Sequence, residues 1–106
     1  MSGIVSVYAV FGSDEEARRI GRTVIEERVA ACVNILGNCH SIYRWRGRIE
    51  EAEEVAAIFK VTAGGAEALI RRIGELHSYE VPAAVVWPIA EAPESYRRWV
   101  VENSGR

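Results

Sequence analysis

Two extended segments meeting at Arg46-Gly47 limit what this chain can fold into, because they outrun the rest of the sheet they must join. Ala31 to Leu36 is apolar and strand-like, and Gly37-Asn38 interrupts it as a bend or bulge would. Extended character resumes through Ser41-Ile42-Tyr43-Arg44-Trp45, and Arg46-Gly47 forms the hairpin tip. The return strand runs from about Arg48 to Thr62, polar over Glu50 to Glu54 and nearly all apolar over Val55 to Val61. At ~3.3 Å per residue that strand reaches roughly 50 Å. The first strand, Ile4 to Phe11, reaches only about half as far. Half of the hairpin must therefore project beyond the sheet. It carries Ile42, Tyr43 and Trp45, which a solvated hairpin would not need, and a projecting apolar edge is a template for pairing. Self-association is the economical use of it, with Tyr43 and Trp45 as interface residues.

The remaining elements follow from changes of hydrophobic period. Ile4 to Phe11 is β-branched and aromatic, a buried strand that Gly12 ends. Ser13 with Glu16 matches a capping box, and Ala17, Ile20, Gly21, Val24 and Ile25 follow at helical spacing. After Gly64-Gly65, the residues Ala66, Leu69, Ile70, Ile73 and Leu76 mark a second amphipathic helix. His77-Ser78-Tyr79-Glu80 is a loop, Ala83 to Trp87 a short strand, and Pro93 opens a final helix carrying Tyr96, Trp99 and Val100. The order is β-α-β-β-α-β with a terminal helix. This predicts an α+β, ferredoxin-like βαββαβ sandwich with a C-terminal helix and a long projecting β-hairpin, spanning residues 1–106 as one domain.

Composition narrows the function. Thirteen Lys plus Arg stand against fifteen Asp plus Glu, a net charge of −2, which argues against a partner held through nucleic-acid phosphates. The third strand lacks the aromatic and basic-glycine pattern of an RNA-recognition motif. No apolar run is long enough to span a bilayer and no secretory leader is visible, so no membrane is expected. Two cysteines, Cys32 and Cys39, make no disulfide framework, and a cytoplasmic setting is expected. Catalysis is not expected either: no nucleophile stands with a base at readable spacing, and Gly64-Gly65 lacks the Lys-Ser/Thr of a phosphate loop.

Several segments carry a family likeness. They are Asp14-Glu15-Glu16-Ala17, the stretch from Glu26 to Ile35, Ser41 to Ile49, Glu53-Glu54-Val55, Phe59-Lys60-Val61-Thr62, and Leu76 to Pro82. Together, in order and at matching spacing, they resemble the CutA-type divalent-cation tolerance proteins. The resemblance implies a cytoplasmic homotrimer built through the long strands, a response to metal ions, and copper binding. Carried over residue by residue, the copper positions fall on Val10 where the family's copper-binding members have Cys, and on Leu76 and His77 where they have two His. With two of three ligands missing, copper or another divalent cation is expected to be weakly held, with His77 the metal candidate.

Other residues are read by their surroundings. Cys32 sits among apolar neighbours as a small hydrophobe. Cys39 and His40 are adjacent soft ligands, but neighbours in a strand point to opposite faces. His77 either caps the second helix or serves a site. Lys60 is the only lysine, in an apolar strand, and such a group needs a compensating partner. These residues suggest an inter-subunit cleft lined by Lys60, His77, Tyr79 and Glu80, holding a small ligand or an ion. On that account the alternative to a metal-tolerance role is a regulatory trimer resembling the PII signal-transducing proteins, sensing a small ligand between subunits.

Overall fold

The computed structural model describes residues 2–105. Strand β1 (Ile4–Phe11) leads into α1 (Asp14–Glu26), then β2 (Cys32–Trp45) and β3 (Arg48–Thr62) form the long hairpin. A 3-10 turn (Ala63–Gly65) precedes α2 (Ala66–Leu76), followed by β4 (Ala84–Pro88) and α3 (Glu94–Asn103). The sheet is four-stranded in the order β2-β3-β1-β4, every pairing antiparallel, which is the ferredoxin-like arrangement with a C-terminal helix.

The alternation along β1 and β3 decides where the core lies. Val5, Val7, Ala9 and Phe11 share a face with Val55, Ala57, Phe59 and Val61. On that face Ala17, Ile20 and Val24 of α1 and Ala66, Leu69 and Ile73 of α2 close one continuous core. Phe11 and Phe59 meet edge to face in it, with centroids 6.3 Å apart. Full burial of each such side chain stabilises by roughly 1.5–3 kcal/mol. Ile4 faces the other way and packs with Ala31 and Val100 of α3, beside Ile89, Ala92 and Tyr96. The final helix therefore covers one end of the face that α1 and α2 leave open.

The register confirms the length mismatch. Phe11, the last residue of β1, pairs with Val55, so Arg48–Glu54 and the facing part of β2 extend past the sheet as a two-stranded ribbon. The molecule is accordingly elongated, 45 × 26 × 22 Å. The bulge lies one residue earlier than Gly37-Asn38: Ile35 pairs with Ala57 and Gly37 with Ala56, leaving Leu36 unpaired. Gly37 has φ +107, a conformation that favours glycine, and it resets the register of everything beyond. Arg46 and Gly47 at the tip both have positive φ (53 and 79), as a tight two-residue hairpin turn requires.

Candidate functional site

The densest polar arrangement lies where β1 ends and the ribbon begins. Ser13 caps α1, its Oγ accepting from the Glu16 N–H at 3.1 Å. The Glu16 carboxylate does not close the expected box on Ser13. It accepts from the Gly12 N–H at 3.1 Å and from the Ser78 N–H at 2.8 Å, tying α1 to the loop after α2. Burial by itself would raise the Glu16 pKa, but the bonds from Ser78 and Gly12 outweigh it and hold the carboxyl below its usual range.

His77 is buried beneath this loop. Its Nε2–H donates to the Val10 carbonyl at 2.8 Å and its Nδ1 accepts from the Tyr79 N–H at 3.1 Å. That pair of bonds assigns the neutral tautomer and leaves neither ring nitrogen free for an ion. The ring stacks on Phe11 with centroids 5.0 Å apart and lies 4.7 Å from the Tyr79 ring. The carbonyl it binds belongs to β1, so the ring does not cap the last carbonyls of α2. The positions matched to copper ligands, Val10 and His77, do meet in space, but through a backbone oxygen.

Tyr79 and Glu80 fasten the same loop to the ribbon. The Tyr79 hydroxyl donates to Glu54 Oε2 at 2.7 Å, and Glu54 is itself buried. Burial and this carboxylate push the Tyr79 pKa well above that of an ordinary phenol. The Tyr79 ring passes so close to Gly12 that a Cβ there would sit 3.3 Å from it, so this glycine serves close approach. Glu80 accepts from Arg46 Nη2 at 2.9 Å, and the Arg46 guanidinium lies 5.2 Å from the Trp45 ring centroid. Tyr43 and Trp45 are exposed in the ribbon, as are Ile42 and Ile49.

Lys60 stands apart from these three within one chain. It pairs with Ser6 of β1, four residues from Val10, about 13 Å along the strand. It also belongs to the face opposite Phe59 and Val61, and its amine donates to Asn34 Oδ1 at 3.1 Å. The chain thus gathers His77, Tyr79 and Glu80 at one end of β1 and leaves Lys60 at the other.

The remaining soft ligands do not converge either. Cys39 pairs with Glu54 and His40 with Glu53, so their side chains take opposite faces of the ribbon. The His40 ring lies between two carboxylates, Nδ1 2.5 Å from Glu53 Oε2 and Nε2 2.7 Å from Glu51 Oε1. Because the carboxylates occupy opposite edges of the ring, they cannot share one ion with it. Cys32 Sγ lies 3.6 Å from the Tyr96 hydroxyl, and burial together with this contact pushes the Tyr96 pKa up to about 12. Among the described residues, no group of three or more His, Cys, Asp or Glu side chains is arranged to hold a metal ion.

Sequence reasoning missed the work of Glu16, Glu54 and the His40 carboxylates. The capping motif flags Glu16, but its second partner lies 62 residues on and has no local signal. Strand alternation with the correct hairpin register would have placed Glu53 opposite His40.

Comparison with known proteins follows the same outline. A family model described as CutA1 divalent ion tolerance protein matches residues 5–103. The divalent-cation tolerance protein CutA of Thermus thermophilus is 44% identical over 93 residues, 88% of this chain and 90% of that protein. Its counterpart in Pyrococcus horikoshii is 37% identical, over 95% of this chain and 98% of that protein. A solved Thermus thermophilus structure superposes with a TM-score of 0.92 at 41% identity, covering 96% of this chain and 99% of that one. The Archaeoglobus fulgidus structure, described as a periplasmic divalent cation tolerance protein, gives 0.91 at 32% identity, over 94% and 97% of the two chains.

Proposed function

Because the chain belongs to the CutA1 divalent ion tolerance family, we propose that it acts as a homotrimer in the response to divalent cations, without catalysis and with copper only weakly held. One observation carries the assembly: the ribbon displays Ile42, Tyr43, Trp45 and Ile49 to solvent at 38–67% exposure. An isolated two-stranded hairpin is marginal in water, so such a ribbon needs something to lie against. The opposite sheet edge, β4, also exposes Val85, Val86 and Trp87. Two unlike apolar edges on one chain favour head-to-tail contact, which closes into a ring when the rotation permits. Sedimentation at low micromolar concentration is expected to give one species of three times the 11.8 kDa chain mass. A stable monomer with full secondary structure would refute the assembly.

Weak copper binding is supported by Val10 and Leu76 at two of the family's ligand positions and by the satisfied ring of His77. Titration with Cu(II) under non-reducing conditions should show low affinity. Tight binding that survives His77→Ala would overturn the His77 assignment and point to the ribbon. A cytoplasmic setting is supported by the two free cysteines. Among the described residues no helix is long and apolar enough to cross a membrane. Cell fractionation distinguishes this setting from the periplasmic one named for the Archaeoglobus fulgidus protein.

The second reading, a small-ligand sensor resembling the PII proteins, rests on Lys60. Among the described residues its amine has a single neutral partner, Asn34, on a sheet face that α1 and α2 do not cover. A neighbouring subunit laid on that face would bring its own polar loop toward Lys60 and complete a cleft with Tyr79 and Glu80, while His77, expected in that cleft, stays buried beneath the loop. Small anions and cations screened by calorimetry against wild type and Lys60→Met test it. Binding unaffected by the substitution would remove Lys60 from any site.

A further inference from the structure

The ribbon is held at its root by a cross-strand contact whose chemistry depends on one proton. His40 lies directly opposite Glu53, and Glu51 faces the next residue on the same side, Ile42. Each ring nitrogen of His40 is within hydrogen-bond distance of a different carboxylate, 2.5 Å to Glu53 and 2.7 Å to Glu51. Carboxylates only accept, so both contacts are hydrogen bonds only if both nitrogens carry a proton, as in the imidazolium. We propose that protonated His40 is a clasp that closes the ribbon, and that losing its proton loosens the ribbon and the surface it offers to a second copy. The part concerning the second copy rests on the self-association proposed above.

Three observations support the clasp. First, β2 is the outer strand of the sheet, and beyond Phe11 the ribbon has only β2 and β3, so its closure depends on cross-strand pairs. Second, the charged groups on this side of the ribbon are Glu51 and Glu53 from β3, with Arg44 further along β2 opposite Ile49. No other element supplies His40 with an ion pair among the described residues, so its proton is the only charge between the two carboxylates. Third, Ile42 and Ile49 lie on the same side and are two-thirds exposed. A partner covering them would reduce the solvent around the clasp, where an uncompensated pair of carboxylates is costlier than in water.

The direction of the pH effect follows. The hydrogen bonds to Glu53 and Glu51 raise the His40 pKa above its ordinary value. A raised folded-state pKa contributes stability in full below the ordinary value near 6.5 and loses it as pH rises through the raised one. The ribbon should therefore be tightest in mildly acidic to neutral solution and looser in alkali. Its opening equilibrium should change about tenfold for each unit of elevation.

The test uses the full chain with three measurements. They are the His40 ring proton titration by NMR, amide-exchange protection over residues 39–45 and 48–54 at pH 6 and 9 corrected for intrinsic exchange, and sedimentation equilibrium at both pH values. In wild type, His40 should titrate above its ordinary value, ribbon protection should fall at pH 9, and association should weaken. His40→Lys keeps a charge at pH 9 and should keep protection equal at both pH values. His40→Gln should show the loosened ribbon already at pH 6. Glu51→Gln combined with Glu53→Gln should return His40 to its ordinary titration. Ribbon protection that is the same at pH 6 and 9 in wild type overturns the clasp, even if the chain self-associates. Protection that falls in wild type alone, in a chain monomeric at every pH, supports the clasp and refutes the self-association.

Discussion

The two halves of β3 form one strand and obey different rules. From Val55 to Val61 the odd-numbered residues are sealed under α1 and α2, and Ala57, Phe59 and Val61 are wholly inaccessible. From Arg48 to Glu53 the same strand has a single neighbour, and every residue but Ala52 is exposed. In the first half, apolar burial stabilises the strand within the chain. In the second half the chain supplies register, side-chain pairs and a tether from the 77–80 loop, and the apolar area remains in water. Continuous hydrogen bonding thus does not mean uniform stability: the inner half is the site of global unfolding and the ribbon of local opening.

The largest expected effect breaks the inner half. Phe59→Ala removes a fully buried ring from the centre of the core and should cost about 3–5 kcal/mol, read by chemical denaturation at fixed protein concentration. A loss under about 1 kcal/mol would mean that the core collapses around the gap.

Next comes a change confined to the ribbon. Trp45→Ala should leave the circular dichroism unchanged and weaken assembly by about 2 kcal/mol or more, as a buried interface aromatic does. Trp99→Ala on α3, beside Tyr96, should weaken assembly by less than about 1 kcal/mol. Equal effects on the sedimentation profile would move Trp45 out of the interface.

A smaller effect lies at the junction of the halves. Glu16→Gln keeps the shape but loses the charge that accepts from Gly12 and Ser78, and should cost about 1–2 kcal/mol at neutral pH. Since the Glu16 pKa is lowered by folding, its contribution is present above the ordinary carboxyl value and disappears as pH falls through the folded one. Stability measured from pH 7 to 3 should therefore decline less steeply in the variant. Parallel curves would show that the carboxylate contributes no acid sensitivity.

The smallest effect tests the sheet face away from the helices. Lys60→Met removes one hydrogen bond to Asn34 from a half-buried position and should change stability by no more than about 0.5 kcal/mol. A loss several times larger in the assembled protein, with none at concentrations that dissociate it, would place Lys60 at a subunit boundary.

The sequence alone determined the element order and the ribbon's excess length. These follow from short-range periodicity, 2 in strands and 3.6 in helices, and from chain reach, all of which are written locally. It also marked Gly12 and the 77–80 loop as punctuation without saying why. Tertiary structure alone decided that the Glu16 carboxylate reaches Ser78 rather than closing on Ser13, that His77 binds the Val10 carbonyl, and that Glu80 goes to Arg46 while Lys60 goes to Asn34. It also decided that Leu36 is left unpaired at the bulge, which joins the ribbon's register, counted back from the Arg46-Gly47 turn, to that of the core. The physical reason is the same in each case. A polar side chain takes whichever partner the packing of distant segments brings within about 3 Å, and a one-residue change of register changes every such partner beyond it.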